Sequence, residues 1–309
     1  MRIVFAGTPE VALPSLEALL ASDHEVVAVL TRPDAPSGRG KRLAPSPVAE
    51  RAAELGIETL KPVKPSDPDF LARFREIAPD CCPVVAYGAL LPQSLLDLVP
   101  YGFVNLHFSL LPAWRGAAPV QHAVLAGDEV TGATTFRIVA ALDAGPTFLR
   151  LTEPISPTDT SGELLTRLSI SGADLLVRTL DGIADHSLTP VEQPTEGISV
   201  APKITVDDAR IDWSRPVVEI DRVIRGCSPS PGAWTTFRGD RFKINSGSPV
   251  EAAGGTPGEL TITKRTVTVA ARDGAGLLLG QVQAQGKRPM NAADWARGVT
   301  FAPSDLLGG

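Results

Sequence analysis

The sequence predicts an α/β protein in two parts: a Rossmann-like, mainly parallel sheet over residues 1–188 and a smaller, OB-like β-barrel over residues 207–309. Three observations carry this. Short apolar runs that do not alternate recur between amphipathic stretches up to about residue 180. The pattern then lapses in a Pro-, Thr- and Ser-rich stretch, SLTPVEQPTEGISVAPK, which marks residues 189–206 as a linker. Short strand-like segments separated by Gly-rich turns follow it, as in small all-β units.

Taken in order, IVFA at 3–6 reads as the first strand, residues 9–21 as a helix by their apolar spacing, and VVAVL at 26–30 as the second strand. Helices follow at 46–55 and 69–77, with PVVAY at 83–87 as a buried strand. Runs such as VVAVL belong to strands covered on both faces, so the sheet should be flanked by helices. Strands at 101–106 and 133–139 continue it around a helix at 116–126, and residues 161–180 form a long closing helix. Beyond the linker, a helix at 216–225 precedes strands at 233–237, 241–245, 258–263, 266–270 and 276–283.

At 309 residues, with 43% hydrophobic and 21% charged content, the chain suits two cores. It contains no apolar run long enough for a membrane span, and its first residues lack the pattern of a signal peptide, so a cytoplasmic protein is expected. Cys81, Cys82 and Cys227 are an odd set, read as reduced, buried thiols. The net charge is -6, yet residues 203–309 hold 14 basic and 11 acidic residues, a balance of +3, against -9 for the rest. Such a split points either to a negatively charged partner for the C-terminal part or to an accident of surface composition.

Gly7, after the first strand, stands where a dinucleotide fold keeps its phosphate-binding glycines, but positions 9 and 12 are Pro and Ala. A nicotinamide-dependent oxidoreductase is therefore disfavoured. No P-loop and no Cys/His cluster occurs, so no metal site is expected. In VNLHFSLLPAWRGAAPVQHA, Asn105 and His107 lie two apart on an extended segment and so share one face at the carboxyl edge of the sheet. For an amine attacking a carbonyl, Asn can donate to the developing oxyanion and His can donate or move a proton. A carboxylate would orient the imidazole and favour its charged form, and Asp143 in AALDAGP can supply one, with Gly145 allowing a tight turn. An isolated Asn-x-His is equally a hydrogen-bonded pair in a turn.

NLHFSLLPAWRGAAPVQ at 105–121 resembles the signature of the folate-dependent formyltransferase family, and W-R-G-A-A-P resembles its methionyl-tRNA branch in particular. MRIVFAGTPE, TRPDAPSGRGKRLAPSPV at 31–48, VVAYGALLP at 84–92, APKITVDDARIDWSRP at 201–216, IRGCSPSPGAW at 224–234 and AQGKRPMNAADWARG at 284–298 are similar to the same family. The resemblance spans nearly the whole chain. It implies the formyltransferase fold and passage of the formyl group of 10-formyltetrahydrofolate, a co-substrate, to the α-amine of methionine on initiator tRNA. Asn105 and His107 then stabilise the oxyanion, while His107 and Asp143 manage the proton. Ser109, Leu110, Leu111 and Pro112 line the folate pocket, with Tyr87 and Gly88 as a further wall. Trp114 and Arg115 either pack the entrance or touch the acceptor.

In SGRGKRLAPSP, Gly38 and Gly40 give flexibility and Arg39, Lys41 and Arg42 give charge, which fits a finger on the tRNA acceptor stem. Lys287 and Arg288, with Arg297, Arg222 and Arg225, extend the expected tRNA-binding patch. A monomer without membrane contact is expected. The sequence departs from the family around the carboxylate, where Val139, Ala140, Pro146 and Thr147 replace usual acidic and neighbouring residues, so an altered turn is expected. The nearest alternative is transfer to a small amine such as an amino-sugar nucleotide. A non-catalytic RNA-binding module leaves the polar triad unexplained.

Overall fold

The computed structural model describes residues 1–37, 42–251 and 253–309. Inward-facing runs build β1 (Arg2–Gly7), β2 (Glu25–Leu30), β5 (Glu58–Leu60), β6 (Cys82–Val85) and β7 (Phe103–His107), with a small hairpin of β3 (Ala35–Ser37) and β4 (Arg42–Ala44) between. Between them lie α1 (Leu13–Leu20), α2 (Pro47–Glu54), α3 (Pro68–Ile77) and α4 (Gln93–Leu96). The chain continues through α5 (Pro119–Ala126), β8 (Val130–Arg137), β9 (Thr147–Pro154) and α6 (Ser161–Ala184).

Helix starts follow local chemistry. The Ser46 hydroxyl accepts from Ala49 N at 3.1 Å before α2, and the Asp67 carboxylate accepts from Asp69 N and Phe70 N before α3, each with Pro at the first helical position. The strands form one sheet in the order β5-β2-β1-β6-β7-β8-β9, parallel through β7 and antiparallel at β7-β8 and β8-β9. Val4, Leu30, Val84 and Phe103 face a core shared with Phe70 and Phe74 of α3. On the opposite face Leu106 packs onto Gly172 of α6, and Thr135 meets Thr179 at 2.8 Å. Leu106 therefore leaves Asn105 and His107 on the α3 side.

The chain forms two compact units: residues 1–119, 130–154 and 165–201, and residues 120–129, 155–164 and 202–309. In the second, α7 (Val217–Gly226) precedes β10 (Trp234–Phe237), β11 (Asp240–Ile244), β12 (Gly247–Val250), β13 (Leu260–Ile262), β14 (Val267–Ala270), β15 (Gly276–Leu279), β16 (Gln281–Ala284), β17 (Met290–Asn291) and α8 (Ala292–Arg297). These make two four-stranded antiparallel sheets, β10-β11-β16-β17 and β12-β15-β14-β13. The single strand expected at 276–283 is thus two. Gly280 bends it from one sheet into the other, and a Cβ there would stand 2.4 Å from the Ser246 hydroxyl. Ile220 and Ile224 of α7 share one core with Phe242, Val269, Leu277, Val282 and Trp295.

The stretch read as a linker has partners in the first unit. Thr147 and Val191 exchange backbone hydrogen bonds of 2.7 and 2.8 Å, and Arg115 N donates to Ser199 O at 2.9 Å. All three cysteines are free and buried, and burial pushes the Cys81 thiol up to about 12 and Cys227 to about 11, so both stay protonated and inert. Among the described residues no helix is long and apolar enough to cross a membrane.

Phe74 is fully buried and stacks on Phe103 two residues before Asn105. Phe74→Ala is expected to lose about 3–5 kcal/mol of stability by removing a large buried ring, measured by urea unfolding of the full chain.

Candidate active site

His107 ends β7, with 7% of its surface exposed, in register with Thr134 of β8. Its ring meets Phe136 edge-on, and its Nε2 lies 2.8 Å from the carbonyl oxygen of Trp114. A carbonyl can only accept, so Nε2 carries the hydrogen and donates, and in the neutral ring Nδ1 is the basic atom. Asp143 Oδ2 stands 3.8 Å from that Nδ1. At this distance the carboxylate acts on the ring through its charge, while Trp114 sets the ring's tautomer and orientation. Burial holds the imidazole below its ordinary pKa, with the charge of Asp143 and then the Trp114 contact pulling it back up. At neutral pH His107 is therefore uncharged and able to accept a proton at Nδ1.

Asn105 is half-buried on the same strand and face, paired with Val84 and Phe136. Its side-chain amide makes no hydrogen bond to a described residue, so its donors are open to a ligand. The structure thus brings an amide, an imidazole and a carboxylate to the carboxyl edge of the parallel sheet.

The turn carrying Asp143 is built differently from the sequence expectation. Asp143 itself adopts a left-handed backbone, φ 47°, and so does Trp114, φ 60°. Gly145 serves close approach: a Cβ there would stand 1.8 Å from the carbonyl oxygen of Arg137. The strained backbone is held by direct bonds. Gly116 N donates to Asp143 Oδ2 at 2.7 Å, and Gln193 Nε2 donates to the carbonyls of Asp143 and Gly145, each at 2.8 Å. Arg115 donates in turn to Gln193 Oε1, and Trp114 N donates to Ser199 Oγ at 2.8 Å. Sequence reasoning missed Gln193 and Ser199 because they lie in an aperiodic stretch; no pattern marks them.

The segment after β7 is tightly tied. Ser109 is fully buried, its hydroxyl donates to Ala113 O at 2.6 Å, and Thr134 Oγ1 bridges Ser109 O and Leu111 N. Leu111 is also buried, while Leu110 and Pro112 are partly exposed. The ring of Tyr87 belongs to the core and its carbonyl accepts from Thr8 Oγ1, whereas Gly88 is exposed. A cavity of about 330 Å³ opens instead among Gln93, Leu96, Val99, Phe103, Arg137 and Val139. Phe103 precedes Asn105 by two residues, and Ile138 and Val139 lead into the Asp143 turn. None of the residues 109–112 lines it.

Of the basic residues, Arg39 and Lys41 lie outside the described residues, and Arg42 is exposed on β4. Lys287 and Arg288 are exposed beside the turn between β16 and β17. Arg225 is instead committed within its own unit, paired with Asp221 at 2.7 Å and donating to Asp159 O. Arg297 pairs with Asp294.

An amide, an imidazole and a carboxylate at a sheet edge are the groups that an enzyme acting at a carbonyl carbon needs. Residues 1–180 match the family model described as formyl transferase, and residues 203–300 match the formyl transferase C-terminal domain. The methionyl-tRNA formyltransferase of Streptomyces griseus subsp. griseus is 64% identical over 310 residues, with 100% of both chains covered. That of Thermobifida fusca is 62% identical, covering 100% of this chain and 99% of its own. The chain belongs to the formyl transferase family, on its methionyl-tRNA formyltransferase branch. Among solved structures, an N-formyltransferase from Helicobacter canadensis, in complex with folinic acid and dTDP-3-aminofucose, shares the fold with a TM-score of 0.68 at 17% identity, over 91% of this chain and 98% of that one.

With neutral His107 as the base, kcat/KM is expected to be level near pH 7 and to fall as pH drops through a midpoint below 6.5. Asp143→Asn removes the charge that raises this midpoint. The expected outcome is an acid limb displaced to still lower pH together with a reduced kcat, read from pH-rate profiles of the two proteins.

Proposed function

We propose that this enzyme transfers the formyl group of 10-formyltetrahydrofolate to the α-amine of methionine esterified to initiator tRNA. One observation carries the reading: identity to methionyl-tRNA formyltransferases extends over the full chain, C-terminal domain included. The division into a catalytic part at 1–188, a linker at 189–206 and a tRNA-binding part at 207–309 belongs to the same proposal, as does action as a cytoplasmic monomer. Support comes from the separate matches at 1–180 and 203–300 and from the inert, unpaired thiols.

The folate co-substrate supplies an activated formyl carbon on a nitrogen leaving group. The cavity beside Phe103 fits its ring system: the volume lies in the range of small-molecule sites, Leu96, Val99, Phe103 and Ile138 offer apolar surface, and Gln93, Asp97 and Arg137 offer polar partners. Arg137 Nε is buried without a hydrogen-bond partner among the described residues, a donor a ligand would satisfy. Ser109, Leu110, Leu111 and Pro112 would frame the reactive end of the folate, with Tyr87 and Gly88 on the β6 side. As the amine attacks, Asn105 donates to the oxyanion. His107 Nδ1 takes the amine proton while Asp143 stabilises the imidazolium, and the same proton passes to the departing folate nitrogen as its bond to the formyl carbon breaks. Trp114 keeps Nε2 fixed throughout. Arg39, Lys41, Arg42, Lys287 and Arg288 would track tRNA phosphates.

Asn105→Ala should keep the fold and the folate affinity but lower kcat by about a hundredfold to a thousandfold, followed with labelled 10-formyltetrahydrofolate and charged initiator tRNA. Near-wild-type turnover would remove Asn105 from this role. Labelling of an amino-sugar nucleotide but not of methionyl-tRNA by the unmodified enzyme would overturn the proposed acceptor.

A further inference from the structure

Three strand positions from His107, beyond Tyr87 and Gly88, lies a charged side chain that the chemistry above does not use. Arg32 follows the end of β2 by two residues. Its backbone N donates to Thr8 Oγ1 at 3.3 Å, Thr8 Oγ1 donates to Tyr87 O at 2.7 Å, and Thr31 Oγ1 meets the α2 cap Ser46 Oγ at 2.7 Å. The turns after β1, β2 and β6 are thereby tied to one another and to the start of α2, which fixes the point from which the Arg32 side chain departs.

That side chain is half-buried, and its Cγ lies 3.9 Å from where a Cβ on Gly88 would stand. Among the described residues no carboxylate is within ion-pair reach of it. The nearest acid along the chain, Asp34, is taken by Lys61 at 2.6 Å. Beside it the Tyr87 hydroxyl is buried. Burial raises the phenol's pKa, and the charge of Arg32 and then a hydrogen bond from its guanidinium oppose that rise. A half-buried guanidinium with no carboxylate partner is an anion site in waiting, since its planar fork matches phosphate and carboxylate oxygens.

We propose that Arg32 binds a phosphodiester near the 3′ end of the acceptor tRNA and so positions the charged methionine for attack. The inference rests on the methionyl-tRNA reading. In the strand order β2-β1-β6-β7, Arg32 is three strand spacings from His107, about 14 Å. The reacting amine and the first phosphodiester of an aminoacylated end are separated by about eight covalent bonds, about 10 Å when extended, and the long arginine side chain spans the difference. The cavity fitted to the folate ring is lined by Phe103 of β7 and by Arg137, Ile138 and Val139 at the end of β8, which leaves the ends of β1 and β2, beyond Tyr87 and Gly88, to the acceptor. The β3-β4 hairpin that begins shortly after Arg32 carries Arg42, continuing the positive surface in the direction the acceptor stem would take.

The test uses the full-length enzyme, with Arg32→Gln and Arg32→Lys compared to wild type at several salt concentrations, varying initiator methionyl-tRNA and 10-formyltetrahydrofolate separately. For Arg32→Gln the expected result is a KM for tRNA raised about tenfold or more and a log-log salt slope shallower by about one. Its KM for folate and its thermal midpoint should stay unchanged, and Arg32→Lys should recover the salt slope. An unchanged KM for tRNA and an unchanged slope would overturn the inference. A raised KM for folate alone would also overturn it, because the anion would then be a folate carboxylate. Failure of the wild-type enzyme to formylate methionyl-tRNA would instead remove the functional reading itself, and this inference with it.

Discussion

The site depends on how one imidazole is held. A main-chain carbonyl at residue 114 fixes one nitrogen of His107 as a donor, and a carboxylate at residue 143 faces the other. Two residues with left-handed backbones supply those partners, and such conformations cost about 1–3 kcal/mol each outside glycine. The surrounding bonds offset that cost. Ser199 holds the amide of Trp114, Gly116 holds the carboxylate, and Gln193 holds two carbonyls of the Asp143 turn. Strain is thus confined to the loops that need it, while the strands beneath stay regular.

The sheet supplies the rest. Because side chains alternate, Leu106 faces α6 and its two neighbours face the opposite side, where the register with β6 and β8 sets their height. The cavity beside Phe103 lies at β7 and the end of β8, and the Arg32 cluster lies beyond the end of β2. A single row of parallel strands thus carries the cavity, the Asn105 and His107 pair and the Arg32 cluster in sequence.

Much of this is legible in the amino acids. Non-alternating runs such as VVAVL announce a sheet covered on both faces, and the two-residue spacing of Asn105 and His107 announces a shared face. The three-residue β5 escapes because so short a strand leaves little periodic signal, and the eight-residue edge strand β9 escapes because most of it is only partly buried. Gly280 hides a bend inside what reads as one strand. Gly145 matters for a reason other than a tight turn: its neighbour Asp143 takes the positive φ, and the glycine is needed because a carbonyl passes where a side chain would be. Arg225 looks like part of a basic patch, yet Asp221 four residues earlier is the spacing of a helical ion pair and is readable as such. Gln193 and Ser199 are not readable, since their role exists only once residues 189–201 fold against Trp114 and the Asp143 turn.

The most direct measurement is the protonation state of the His107 ring itself, by nitrogen NMR of histidine-labelled enzyme across pH. The expected result is a neutral ring at pH 7 with hydrogen on Nε2 and a bare Nδ1, gaining its second proton only below pH 6.5, and a lower midpoint still in Asp143→Asn. A ring with hydrogen on Nδ1 at neutral pH, or one already charged there, would contradict it.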